Sequence, residues 1–177
     1  SPHHLYDLGF QNGSISIPKD AVFEMVESES KAVSTHWSQL VYRYHDPQGR
    51  FYLDKIYKAH PDTAFRIDLE VKLTNKLENG QISDHLILET YGYKDPEKES
   101  SFLDMRPDES EAICRLVDDT ERELFAAVET PISFAESPVI WGGINTRYFL
   151  FAAVPEQSAE KCVFDIVDEH FLRTQLI

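Results

Sequence analysis

The stretch Val139-Ile-Trp-Gly-Gly-Ile-Asn-Thr-Arg-Tyr-Phe-Leu-Phe-Ala-Ala-Val-Pro155 decides the fold. A Gly-Gly pair leads into an apolar run, Tyr148 to Val154, which Pro155 stops. The run is too short to cross a bilayer as a helix and too apolar to lie on a surface. It therefore reads as a strand covered on both faces, at the centre of a two-layer core. Gly142 and Gly143, lacking a Cβ, permit close backbone approach inside such a core. The stretch holds no catalytic group: Arg147 is its one charge, and Asn145 and Thr146 read as turn residues.

Outward from this stretch, period-two alternation dominates. Phe65, Ile67, Leu69, Val71 and Leu73 share one parity, with Arg66, Asp68, Glu70, Lys72 and Thr74 on the other, which predicts a long half-buried strand. A polar loop from Asn75 to Ser83 containing Asn79-Gly80 follows, and His85 to Tyr93 resumes as a strand, so a hairpin is expected. Upstream, Ala32 to His45 and Arg50 to Tyr57 are predicted partners across the turn Asp46-Pro-Gln-Gly49. His60-Pro61-Asp62 links them to the long strand. Lys94 to Ser101 and Arg106 to Ser110 are charged and punctuated by proline, the pattern of a surface excursion.

Ala112 to Val128 fits an amphipathic helix or two short strands. The turn-like Asp118-Asp-Thr-Glu121 favours strands. Lys161 to Val167 and Leu172 to Ile177 complete about nine expected strands. The fold class is all-β and antiparallel, a sandwich or related two-layer form with little helix.

At 177 residues the chain is long enough to bury a sizeable core. Seventeen basic against 31 acidic residues give a net charge of −14, a field that repels nucleic-acid phosphates and anionic lipid headgroups. The densest basic grouping, Arg50 to Lys58, spreads its charges along a strand, so no nucleic-acid partner is expected. Cys114 and Cys162 lack metal-ligand spacing and sit in apolar strand-like segments. Two buried free thiols are the default, and one bridge is the alternative in an oxidising compartment. Ser1-Pro-His-His4 reads as a cloning remnant, leaving residues 5–177 as a single domain.

Chemistry is sparse. Apart from His3-His4, no two of the seven histidines stand at ligand-pair spacing, so no metal is expected. Asp168-Glu169-His170 reads as a polar turn between strands. No nucleophile elbow and no phosphate-cradling glycine loop is present, and neither cysteine has a histidine close by in sequence. Trp37, Tyr42, Tyr44, Tyr52, Tyr57, Trp141 and Tyr148 could line a groove for a sugar or peptide, but core packing explains them more simply. No catalytic residue and no cofactor is assigned.

Three segments together resemble the large periplasmic domain of the YidC family of bacterial membrane-protein insertases. The first is Trp141 to Pro155, similar to the family's stretch at Trp141, Gly143, Ile144, Arg147, Tyr148, Phe149, Leu150, Ala152, Val154 and Pro155. The second is Gly49-Arg-Phe-Tyr-Leu-Asp-Lys-Ile-Tyr-Lys58 followed by Asp62 to Asn75. The third, Leu8-Gly-Phe10 with an acidic loop and Val22-Phe23, is looser.

The resemblance spans roughly Val22 to Val167 and implies an antiparallel β-supersandwich of the galactose-mutarotase-like kind. Trp141, Gly142, Gly143, Arg147, Tyr148, Phe149 and Pro155 would be its structural core. It further implies a soluble periplasmic accessory domain, truncated at its C-terminal end, of an inner-membrane protein. Sec translocase components and nascent membrane proteins would be its partners. The family's membrane-embedded groove arginine has no counterpart in this chain. The alternatives are a carbohydrate-binding or aldose-epimerase-like domain, suggested by the fold alone, and capture of peptides by strand addition at a sheet edge.

Overall fold

The computed structural model describes residues 6–11, 15–18, 20–33, 37–59, 63, 65–77, 84–93, 110–146 and 148–177. The strands are β1 (Tyr6–Phe10), β2 (Glu24–Met25), β3 (Lys31–Val33), β4 (Trp37–His45), β5 (Phe51–Ala59), β6 (Ile67–Asn75) and β7 (Leu86–Tyr93). They continue as β8 (Glu111–Leu116), β9 (Thr120–Leu124), β10 (Ile132–Phe134), β11 (Val139–Asn145), β12 (Leu150–Ala153), β13 (Cys162–Val167) and β14 (Phe171–Leu176). One short 3-10 turn, Phe125–Ala127, interrupts them, and every pairing is antiparallel. No helix among the described residues is long and apolar enough to cross a membrane. The all-β expectation holds, and the chain divides into two compact units.

The first unit, Ser1–Gly13 with Asp84–Ile177, is a β-sandwich. A five-stranded sheet, β1-β7-β14-β13-β10, faces a four-stranded sheet, β12-β11-β8-β9. Their inner faces meet in one apolar cluster, with Ala112, Cys114, Leu116 and Ile144 against Cys162, Phe164, Leu172 and Leu176. Cys114 and Cys162 are joined by a disulfide across the two layers, their Cα atoms 6.6 Å apart. Free thiols were the simpler expectation. Each cysteine occupies an inward position of its own strand, and the sheets stack them opposite one another.

Glycine makes the layers fit. A Cβ on Gly142 would lie 2.8 Å from Leu176 Cδ2 and 3.1 Å from Cys114 Sγ. On Gly143 it would lie 1.9 Å from the Phe151 carbonyl oxygen and 2.7 Å from Ala152 Cα. Side chains of the facing layer and of β8 crowd Gly142, and the β12 backbone crowds Gly143.

The second unit, Ser14–Ser83, is a single sheet ordered β2-β4-β5-β6, with β3 also on β4. The expected β4–β5 partnership is present, from Ser38↔Ala59 to His45↔Tyr52. Asp46 closes the turn by accepting from the Arg50 backbone N–H (3.0 Å), Nε (2.8 Å) and Nη2 (3.0 Å), while Gly49 takes a left-handed φ of 72°. Asp54 is nearly buried but forms a two-pronged ion pair with Arg43 (2.6 and 2.8 Å), whose guanidinium also lies 4.4 Å from the Tyr52 ring centroid.

Three expectations fail. β6 pairs with β5, and β7 lies between β1 and β14, so the two do not form a hairpin. A tight Asn-Gly turn fixes register only when it closes a two-residue loop, and the polar segment here is much longer. Phe65 has φ 70° and is fully exposed, so it does not extend the alternating face of β6. The apolar run is not a central strand: β12 is an edge, and Tyr148, Phe149, Leu150 and Val154 are exposed. Within this stretch, the strand with neighbours on both sides is β11. The Asn79-Gly80 signal and the excursion from 94 to 109 fall outside the described residues.

Candidate interaction surface

Alternation assigns each side chain of the four-stranded sheet to a face. Ala112, Cys114 and Leu116 on β8, Gly142 and Ile144 on β11, and Phe151 and Ala153 on β12 turn inward. Glu111, Ile113, Arg115, Trp141, Gly143, Asn145, Leu150 and Ala152 turn outward, followed by Val154 just past β12. A register shift between Val139 and Trp141 lets Trp141 reach the outer face beside Arg115.

The outer face has a low centre. Ala152, Gly143, Ile113 and Arg122 form one transverse row, and two of the four carry almost no side chain. Ile113 is buried although it points outward. Half-buried Trp141 flanks the row on one side. On the other, Glu111 Oε2 accepts from Asn145 Nδ2 (3.1 Å) and Arg122 Nη1 (3.2 Å).

The edge itself is open. Thr146 donates its N–H to the Phe149 carbonyl at 2.7 Å, so these residues are a hydrogen-bonded pair. Bonded and unbonded pairs alternate along an antiparallel ladder. Ile144/Phe151 and Gly142/Ala153 are then the bonded pairs, and Leu150 and Ala152 direct their N–H and C=O away from β11. The closeness of the Phe151 carbonyl to Gly143 agrees with this phase. Among the described residues no strand pairs with the outer side of β12.

A second polar constellation lies on the outward face of the five-stranded sheet. Arg173 pairs with Asp165 (Nε to Oδ1, 2.8 Å, with a second, shorter contact to Oδ2) and with Glu89 (2.9 Å). Gln175 donates to Glu89 at 2.7 Å, and the Tyr91 hydroxyl donates to Glu89 at 2.6 Å. Burial first, then the Glu89 carboxylate, pushes the Tyr91 phenol well above its ordinary range. These groups satisfy one another, which is a cross-strand lock rather than a reactive arrangement.

Among the described residues, no group of three or more His, Cys, Asp or Glu is arranged to hold a metal. Asp168 and Glu169 adopt positive φ in the turn joining β13 to β14, where the His170 N–H bonds the Asp168 carbonyl. Tyr42 stacks edge-on to Tyr57, and Tyr44 is buried against Phe23 and Phe51. Tyr42, Tyr44, Phe51 and Tyr57 thus pack against aromatic neighbours of their own unit.

The sequence-assigned core residues separate into groups. Gly142 and Gly143 are buried, and Trp141 and Pro155 are half-buried. Tyr148 and Phe149 are exposed, because the strand they precede has a neighbour on one side only. Arg147 lies outside the described residues. Sequence reasoning missed the open edge. The missing signal is the count of neighbours: an uncharged apolar run suits a central strand and an unguarded edge equally well.

The chain is 33% identical over 109 residues, 61% of its length, to the membrane protein insertase YidC of Syntrophus aciditrophicus (strain SB). That identity supports a YidC-related domain. The match spans 19% of that relative's length. No family model matches the YidC-related chain, and no solved structure matches it.

Proposed function

We propose that this YidC-related chain is a non-enzymatic, protein-contacting accessory domain of a membrane-protein insertase, held on the periplasmic side of an inner membrane. The observation that carries the reading is the 33% identity to an insertase over 109 residues. The Cys114–Cys162 disulfide supports it, since such bridges persist in oxidising compartments such as the periplasm. The unguarded apolar edge of β12 adds a surface suited to protein contact. Sec translocase components and nascent membrane proteins are the partners this role calls for.

Sequencing the parent gene beyond the codon for Ile177 tests the membrane attachment. Apolar segments of roughly twenty residues each are expected. A stop codon or a second soluble domain would remove the insertase role. In cells, a photo-crosslinker at Leu150 should yield adducts with Sec components or nascent chains. Adducts with neither would set those partners aside.

A further inference from the structure

We propose that the open edge of β12 is a strand-addition site for an extended segment that carries apolar side chains alternating with basic ones. The inference rests on the protein-contacting reading above and specifies the chemistry of the partner. Edges attract other chains, and proteins normally blunt them with charge, brevity or proline. The other described edge strands follow that rule. β9 carries Glu121, Arg122 and Glu123, β6 carries Asp68, Glu70 and Lys72, and β1 carries Asp7. β10 has three residues and β2 has two. Among the described edge strands, β10 (Ile-Ser-Phe) and β12 (Leu-Phe-Ala-Ala) have neither charge nor proline within them, and β12 is the longer of the two, with Tyr148, Phe149 and Val154 flanking it in full view of solvent.

The backbone selects an extended partner. Leu150 and Ala152 offer outward N–H and C=O groups two residues apart, the spacing a β-strand meets. Side chains of the incoming strand would lie beside Leu150 and Val154 on one face and Phe149 on the other, which favours apolar groups. Charge decides between a second copy of this chain and a different partner. A second copy would bring −14 onto −14, whereas a basic segment is drawn in.

The test is a titration of the ¹⁵N-labelled 177-residue chain with a short peptide of alternating valine and lysine, beside its valine–glutamate counterpart. Shifts centred on the Leu150 and Ala152 amides, with the lysine peptide binding at least about tenfold tighter at low salt, are expected. Ala152→Pro removes an outward N–H without touching the β11 ladder and should weaken binding about tenfold or more. Leu150→Lys, at an exposed position that tolerates charge, should do the same if the proline variant fails to fold.

Shifts elsewhere, no shifts at all, or equal binding by both variants would overturn the proposal. A dimer in sedimentation that Leu150→Lys dissolves would also overturn it, by giving the edge to a second copy. A null titration leaves the insertase role standing, and a parent gene without membrane segments leaves the edge chemistry standing, so the two failures are distinguishable.

Discussion

A methyl group added at Gly142 would meet the end of a leucine side chain, while one added at Gly143 would meet backbone. Leu176 can swing aside, but the Phe151 carbonyl and Ala152 Cα belong to a ladder that must move as a whole. Gly143→Ala should therefore cost about 1–3 kcal/mol, and more than Gly142→Ala, in denaturant unfolding followed by Trp141 fluorescence. Equal losses would mean that the edge strand yields easily. The adjacent glycines were legible as a close approach, whereas which of them faces which layer required the register.

Asp46 makes a second prediction at this scale. Hydrogen bonds from the Arg50 guanidinium hold its carboxyl below the ordinary value of 3.8. A depressed folded pKa contributes stability that is complete above the unfolded pKa and is lost as pH falls through the folded one. Asp46→Asn should lower stability at neutral pH and flatten its decline below about pH 4. An unchanged acid limb would show that other carboxylates govern it.

Elements were readable where loops are short. Asp46-Pro-Gln-Gly49 ties β4 to β5, and Asp118 to Glu121 lies at the junction of β8 and β9, so both pairs were found from sequence. β6 and β7 were each found too, but their partners were not, because the polar stretch between them imposes no register. Neighbours come from the whole sheet, so β12 could not be placed at an edge from its own four residues. Substituting that edge should be nearly free. Leu150→Lys, at a residue already half exposed, should change stability by less than about 0.5 kcal/mol. A larger loss in thermal unfolding would show that Leu150 packs against something in solution.

For the whole molecule, the disulfide and the two units give one linked prediction. Cys114 and Cys162 close a loop with a sequence separation of 48, all within the first unit. Chain entropy puts the stabilisation at about 4 kcal/mol, so reduction should lower the unfolding midpoint of that unit alone. Trp141 belongs to the first unit and Trp37 to the second, so variants keeping one tryptophan can follow each separately. Parallel losses at both reporters would show that the units unfold together. Composition and alternation revealed the all-β class, while the division into units was hidden because both halves share the same period.

Pairing between β1 and β7 carries a consequence for the order of events during synthesis. Tyr6–Phe10 finds its partner only when Leu86–Tyr93 has been made, and the entire second unit lies between them in the chain. In a chain emerging N-terminus first, β1 must wait, unpaired, while Ser14–Ser83 already has all the strands of its own sheet. The sandwich can close only from the C-terminal side, so its completion marks the moment when the last of these residues has cleared the exit.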